Sequence, residues 1–283
     1  MRFFIFIFVL CFALNLPLPA AGFDWAGTEK TVTSARFPDA SSVLLYDVES
    51  ITYQPDGTSS ETDDFYQKIL TEKGRREALV LQMRYCTSYG SAQFLKAEVL
   101  RPGKPARPVD IKRFTALAVD AEQMGSNIYD PNWQVLKLTI PDLQIGDTIH
   151  VVTREITTKA RIPGVWSSYI PLQNTDPILH YEVRVTAPAS LPLKSMAVKD
   201  PVPGTVTFKE EKLGKFIQYT WTALNVPQII PEPGMPAWYT CVQRLLISTA
   251  PDWQTISRWY YRLCRPRMDA VSPEMKADRK SVV

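Results

Sequence analysis

Thiols, imidazoles and carboxylates are the groups that could do chemistry in this chain, and the first two are scarce. The 283 residues hold four cysteines and two histidines. Cys11 lies in the apolar N-terminal run, which leaves Cys86, Cys241 and Cys264 for the rest of the chain. None stands in a CxxC or Cys–His metal spacing, and an odd number cannot pair completely. Acyl transfer by cysteine needs a thiolate, a histidine base within hydrogen-bond reach and a third group to orient that base. His150 and His180 both fall in strand-like segments, and no histidine follows Cys264. Cys264 comes at the end of a helical stretch, away from the N-terminal turn where the helix dipole would lower its pKa. Cys86 and Cys241 sit in apolar alternating segments, where a cysteine behaves as a small buried hydrophobe. The acidic pairs Asp63-Asp64 and Glu210-Glu211 invite an acid/base or Ca²⁺ reading. Neighbours on a strand point to opposite faces, however, and do not set two carboxyls about 5–10 Å apart across a cleft, so both pairs are expected to be solvated. The 12 glycines form neither GxGxxG nor GxxxxGK. No catalytic residue, metal ligand or cofactor site is assigned.

The elements that would have to position any site are mostly strands. Segment 42–53 is rich in β-branched and aromatic residues and runs into Gln54-Pro55-Asp56-Gly57, a turn in which proline presets φ and glycine tolerates the left-handed region. A second run over about 64–70 makes this a hairpin. In 77–86, Leu79, Leu81, Met83 and Tyr85 share one face against Gln82 and Arg84, the period of a half-buried strand. In 92–100, Leu95, Ala97 and Val99 are expected to point inward, against Lys96 and Glu98. Segments 133–140 and 148–156 flank the loop PDLQIGD, 178–186 alternates again, and 205–209 and 216–221 form a further pair. Segment 115–128 reads as either a short helix or a long loop. The fold class expected is mainly β: a large antiparallel β-sandwich with a short C-terminal helical segment.

The two ends differ from this middle. Met1-Arg2, an apolar run over 3–14, Pro17 and Pro19, and the small residues Ala20-Ala21-Gly22 follow the order of a secretory signal peptide. The apolar run is too short for an anchor, which needs about 20 such residues. The expectation is therefore a signal over 1–21, a sandwich module over 22–247 in a periplasmic or extracellular compartment, and no membrane span after cleavage. The formal net charge of +3 and a basic loop at Arg101, Lys104 and Arg107 without interleaved aromatics give no nucleic-acid signal. Pro227, Pro231, Pro233 and Pro236 mark an extended strap, followed by a strand over about 238–247. A helix is then expected, with Thr249 as its cap, Asp252 completing a capping box, and Pro266 as its end. Trp253, Ile256, Tyr260 and Leu263 share one helical face, with Trp259 alongside. A second helix start at Ser272-Pro273-Glu274 leaves too little chain to bury a face, so 248–283 reads as the start of a further domain, apparently truncated.

The segments SSVLLYDVESITYQPDGT, KILTEKGRRE, AEVLRPGK, LKLTIPDLQIGDTIHV, PEPGMP and STAPDWQTISRWYYRL, in this order, resemble the N-terminal module of secreted bacterial transglutaminase-like proteins, a domain of unknown function. The resemblance implies a large β-sandwich whose terminal tryptophan-led helix leads into a papain-like domain carrying a Cys-His-Asp triad. That triad has no counterpart among these residues. The chain is thus expected to be a non-catalytic module that scaffolds or orients a following transglutaminase-like domain. Its candidate docking face is Thr249, Trp253, Ile256, Trp259, Tyr260 and Leu263 with the PEPGMP strap, and Trp253 and Trp259 are expected to be partly uncovered. The alternative is a stand-alone exported glycan- or peptide-binding module, using Trp166 and Trp238 as an exposed ligand platform or a free sheet edge for strand addition.

Overall fold

The computed structural model describes residues 24–121, 129–199, 201–270 and 272–274. The expected signal segment lies outside the described residues. The fold is mainly β. Strands β1 (Ser42–Tyr53) and β2 (Ser59–Ile69) form the expected hairpin, and β2 begins earlier than its polar SSETDD composition suggests. At the turn Gly57 adopts φ 86°; a Cβ there would lie 2.7 Å from the Val165 carbonyl oxygen, so backbone and space both demand glycine. Helix α1 (Trp25–Thr31) precedes this hairpin and α2 (Glu72–Ala78) follows it.

Then come β3 (Val80–Cys86), β4 (Gly90–Leu100), the short β5 (Arg107–Pro108), α3 (Ile111–Phe114), β6 (Thr115–Val119) and β7 (Trp133–Thr139). Strand β6 replaces the expected helix or loop at 115–119, and 122–128 lies outside the described residues. Strands β8 (Thr148–Thr157), β9 (Ser167–Pro171), β10 (Ile178–Pro188), β11 (Ser195–Lys199), β12 (Val206–Leu213) and β13 (Phe216–Val226) complete the middle of the chain. The expected strand over 238–247 is instead a helical turn, α4 (Trp238–Cys241), followed by β14 (Arg244–Ser248). Helix α5 (Trp253–Asp269) follows and carries Pro266 inside it, so proline does not terminate it.

Eight strands make one sheet in the order β12-β13-β10-β1-β2-β8-β4-β5. All its pairings are antiparallel except β1 with β10, which run parallel. Two three-stranded sheets, β11-β14-β9 and β3-β7-β6, complete the set. Each lies against its own core on the inner face of the large sheet. The first core joins Ile51, Tyr53, Val183, Val185 and Trp221 to Trp166, Ile170, Leu245 and Ile247. The second joins Ala97, Val99, Ile149 and Val151 to Met83 and Leu138. Each fully buried aliphatic side chain contributes about 1.5–3 kcal/mol.

Two bulges set which residues face inward. The β1–β2 register slips between Leu44 and Tyr46, and the β4–β8 register between Phe94 and Lys96. An extra residue in one strand reverses the phase of everything beyond it. Phe94, at 7% exposure, therefore enters the core where Leu95 was expected, while Ala97 and Val99 point inward as expected. On the outer face, the first bulge lets Val43 and Leu45 join Val32, Ala40 and Leu70 in a third core beneath α1. There Lys68 donates to the Glu29 carboxylate at 2.6 Å and to the Glu29 carbonyl at 2.9 Å, tying α1 to β2.

Candidate functional site

Strand alternation sends Asp63 and Asp64 to opposite faces of the large sheet, and their surroundings have nothing in common. On the outer face, Asp64 lies 2.8 Å from His150 Nε2, Glu98 lies 2.8 Å from His150 Nδ1, and Lys96 reaches Glu98 at 2.8 Å. Tyr66 stacks on the His150 ring at 4.0 Å and Tyr46 on His180 at 4.8 Å. Glu182 sits between His180 and Arg184. Burial pushes the Glu98 carboxyl up, but hydrogen bonds from Lys96 and His150 outweigh it and hold the group below its ordinary value. The neighbouring His180 and Arg184 together outweigh burial and lower Glu182 as well. The outer face is a ladder in which each of these acids has a basic side chain beside it.

The inner face is the reverse. Glu49 is directly opposite Asp63 across β1–β2, Glu61 is directly opposite Glu155 across β2–β8, and Asp47 precedes Glu49 by one period. Asp47 and Glu49 lead straight into Ile51 and Tyr53 of the first core. Asp63 is one period from Phe65, which packs on the second. The acids thus form a stripe where the two cores meet. Glu49 is buried, and the Oδ1 atoms of Asp47 and Asp63 are buried without a hydrogen-bond partner. Tyr181 on β10 donates to Glu49. Among the described residues no lysine, arginine or histidine pairs with any of the five.

Their acidities follow from this isolation. Burial, then the neighbouring Asp63 charge, holds Asp47 well above the usual carboxylate range. Burial pushes Glu49 up to about 7 against the pull of the Tyr181 hydrogen bond. Burial and the charges of Glu49, Glu155 and Asp63 push Glu61 up to about 9. Asp63 and Glu155 are raised too, chiefly by burial. The expectation that Asp63-Asp64 would be a solvated pair is therefore wrong: both residues lie mid-strand, and each belongs to a cluster assembled from several strands. Among the described residues no group of three or more histidines, cysteines, aspartates or glutamates is arranged to hold a metal ion.

The aromatic platform expected from the sequence does not form. Trp166 is 6% exposed and stacks on Tyr53 at 4.7 Å, so its irregular segment is a plug in the first core and offers no surface. Trp238 is half-buried at the start of α4. The face expected from the sequence to dock a neighbour is reshaped at one end. Thr249 is 2% exposed and does not cap α5; its hydroxyl accepts from the Trp166 amide at 2.9 Å. Asp252 is the cap, accepting from the Thr255 amide at 2.6 Å.

Along α5, Trp253, Ile256, Trp259, Tyr260 and Leu263 share one arc at helical spacing, with Arg258, Arg262 and Arg265 opposite. Trp253 is 83% exposed, Tyr260 60% and Leu263 48%, Ile256 and Trp259 are half-buried, and no residue of the helix is fully buried. Trp253→Ala is accordingly expected to change stability by no more than about 0.5 kcal/mol, as read by urea unfolding. The three cysteines are free, with Cys86 buried. Among the described residues no helix is long and apolar enough to cross a membrane.

A family model for a domain of unknown function with solved structures, DUF3857, matches residues 55–230. The chain belongs to the DUF3857 family. The match takes in the strands that carry the acidic stripe from Glu61 onward and stops before α4, β14 and α5. No curated protein matches the sequence. Among solved structures, the DUF3857 chain resembles a putative protease from Parabacteroides distasonis, with a TM-score of 0.65 and 17% identity over 76% of this chain and 41% of that one. An M1 zinc metallopeptidase from Deinococcus radiodurans aligns with a TM-score of 0.35 and 15% identity over 74% of this chain and 42% of that one. The chain thus spans about two-fifths of the length of the structures it matches.

Proposed function

We propose that this chain is an exported, non-catalytic β-sandwich module that scaffolds and orients a transglutaminase-like, cysteine-peptidase-like domain, with α5 as the docking element. The observation that carries the reading is the uncovered arc of α5: a 17-residue amphipathic helix none of whose residues is buried. Such a face is stable in water only at the cost of exposing its apolar side chains, and a partner of matching shape removes that cost. Membership in the family and the fold shared with two-fifths of a longer putative protease support a module that serves a neighbour. The engagement of both His150 ring nitrogens by carboxylates supports a chain that does no acyl transfer itself. The N-terminal charge, apolar run and small residues support export.

Hydrogen exchange tests the proposal. Joined to the transglutaminase-like domain, or with that domain added in trans, the α5 amides are expected to exchange at least about tenfold more slowly than in this chain alone. Unchanged α5 exchange in both formats overturns the docking role, and turnover of a peptide or amine substrate by this chain alone overturns the non-catalytic one.

A further inference from the structure

Neighbouring acids on a sheet repel one another and are destabilising when they lie directly opposite, yet this fold places five on one face. Asp47 and Glu49 come from β1, Glu61 and Asp63 from β2 and Glu155 from β8. Tyr181 of β10 is bonded to Glu49, and its hydroxyl brings no positive charge to the stripe. Asp64 adds its charge through the sheet to Asp47 and is itself turned to His150 on the far side.

Asp47 lies on the same face as Asp63, diagonal to it across β1–β2, and the Oδ1 atoms of both are buried without a hydrogen-bond partner. A buried carboxylate oxygen that no donor or cation compensates is costly, and taking up a proton removes that cost. Like charges held this close cannot both ionise. Glu61 and Glu155, in direct register, face the same constraint. On the outer face of these strands Asp64 has the basic side chain of His150 beside it, so the lack of a basic partner inside is particular to the stripe.

We infer that the inner acidic stripe is a proton latch: the folded module keeps protons among β1, β2 and β8 where its two cores meet, and loosens as they leave. The sign follows from the direction of the acidities. A carboxyl raised in the folded state, from 4.5 to about 7 at Glu49 and to about 9 at Glu61, favours folding while protonated. That contribution is full below the unfolded value and is lost as pH rises through the folded one. The lowered outer-face acids Glu98 and Glu182 act below this window, so the two sets do not cancel within it.

The test is urea unfolding of the mature chain across about pH 6 to 8, where the slope of the unfolding constant counts the protons taken up on folding. On the order of two protons are expected, so the constant should rise by about a hundredfold per pH unit. Glu61→Gln keeps the shape and removes one titrating group. Its slope is expected to be shallower by about tenfold per pH unit, and its stability at about pH 8 to exceed that of the native chain. Glu155→Gln is expected to act in the same direction, which keeps the test available if the first variant folds poorly. An unfolding constant that is flat or falls with rising pH overturns the latch. A Glu61→Gln slope equal to the native one, which would leave the outer-face ladder as the source of the pH dependence, overturns it equally.

Discussion

Trp166→Ala is expected to destabilise the protein by about 3–5 kcal/mol, the range for truncating a buried large aromatic. The ring is 6% exposed and stacked on Tyr53 at 4.7 Å, and Tyr53 is itself 1% exposed. Its backbone is held on both sides, since its amide donates to the Thr249 hydroxyl at 2.9 Å and its carbonyl accepts from the Thr249 amide at 2.9 Å. Removing the indole leaves a cavity in the first core beside Tyr53, where Ile170, Leu245 and Ile247 of the small sheet also pack. Denaturant unfolding measures this directly. A loss below about 1 kcal/mol is the result expected of a surface platform, and it would return Trp166 to that role.

A loss of similar size is expected at the opposite face. Lys68→Ala strips the Glu29 carboxylate of its partner while leaving it at 5% exposure, and breaking a buried pair from one side costs about 3–5 kcal/mol. Lys68 bonds both the side chain and the carbonyl of Glu29, so the damage should appear as release of α1 and exposure of Val43 and Leu45 beneath it. The double variant Glu29→Leu with Lys68→Met separates the penalty of a stranded charge from the value of the pair. Replacing both ions with apolar groups of similar size is neutral or stabilising in comparable sites, and most of the single-variant loss should return. Thermal melts of the three proteins check this; a double variant no better than Lys68→Ala would mean that the pair itself, and not the unpaired ion, holds α1.

The uncovered face of α5 and the acidic stripe differ in how far they could be seen beforehand. Spacing alone places Trp253, Ile256, Tyr260 and Leu263 on one arc, because helical periodicity is a property of consecutive residues, and the structure leaves Trp253, Tyr260 and Leu263 exposed. The stripe did leave a trace, with acids at alternate positions in Asp47-x-Glu49 and Glu61-x-Asp63. Alternation says that such residues share a face; it does not say whether that face looks into the protein or out. The partners that decide the matter lie on strands far apart in the chain: Glu155 on β8 and Tyr181 on β10, the latter brought beside Asp47 by a parallel pairing.

What the sequence determined by itself is therefore local in origin: the mainly β character, the hairpin turning at Gly57, the sidedness of α5, and the family to which the ordered segments point. Tertiary structure decided the rest. It inserted bulges after Leu44 and Phe94 that reverse which residues face inward. It turned an irregular stretch at Trp166 into core, and gave the cap of α5 to Asp252 by burying Thr249. It also set Asp63 among unpaired acids while its neighbour Asp64 met His150. The physical reason is the same throughout: dihedral preference and side-chain period act between neighbours, whereas burial, register and the company a charge keeps depend on contacts that exist only once distant strands have come together.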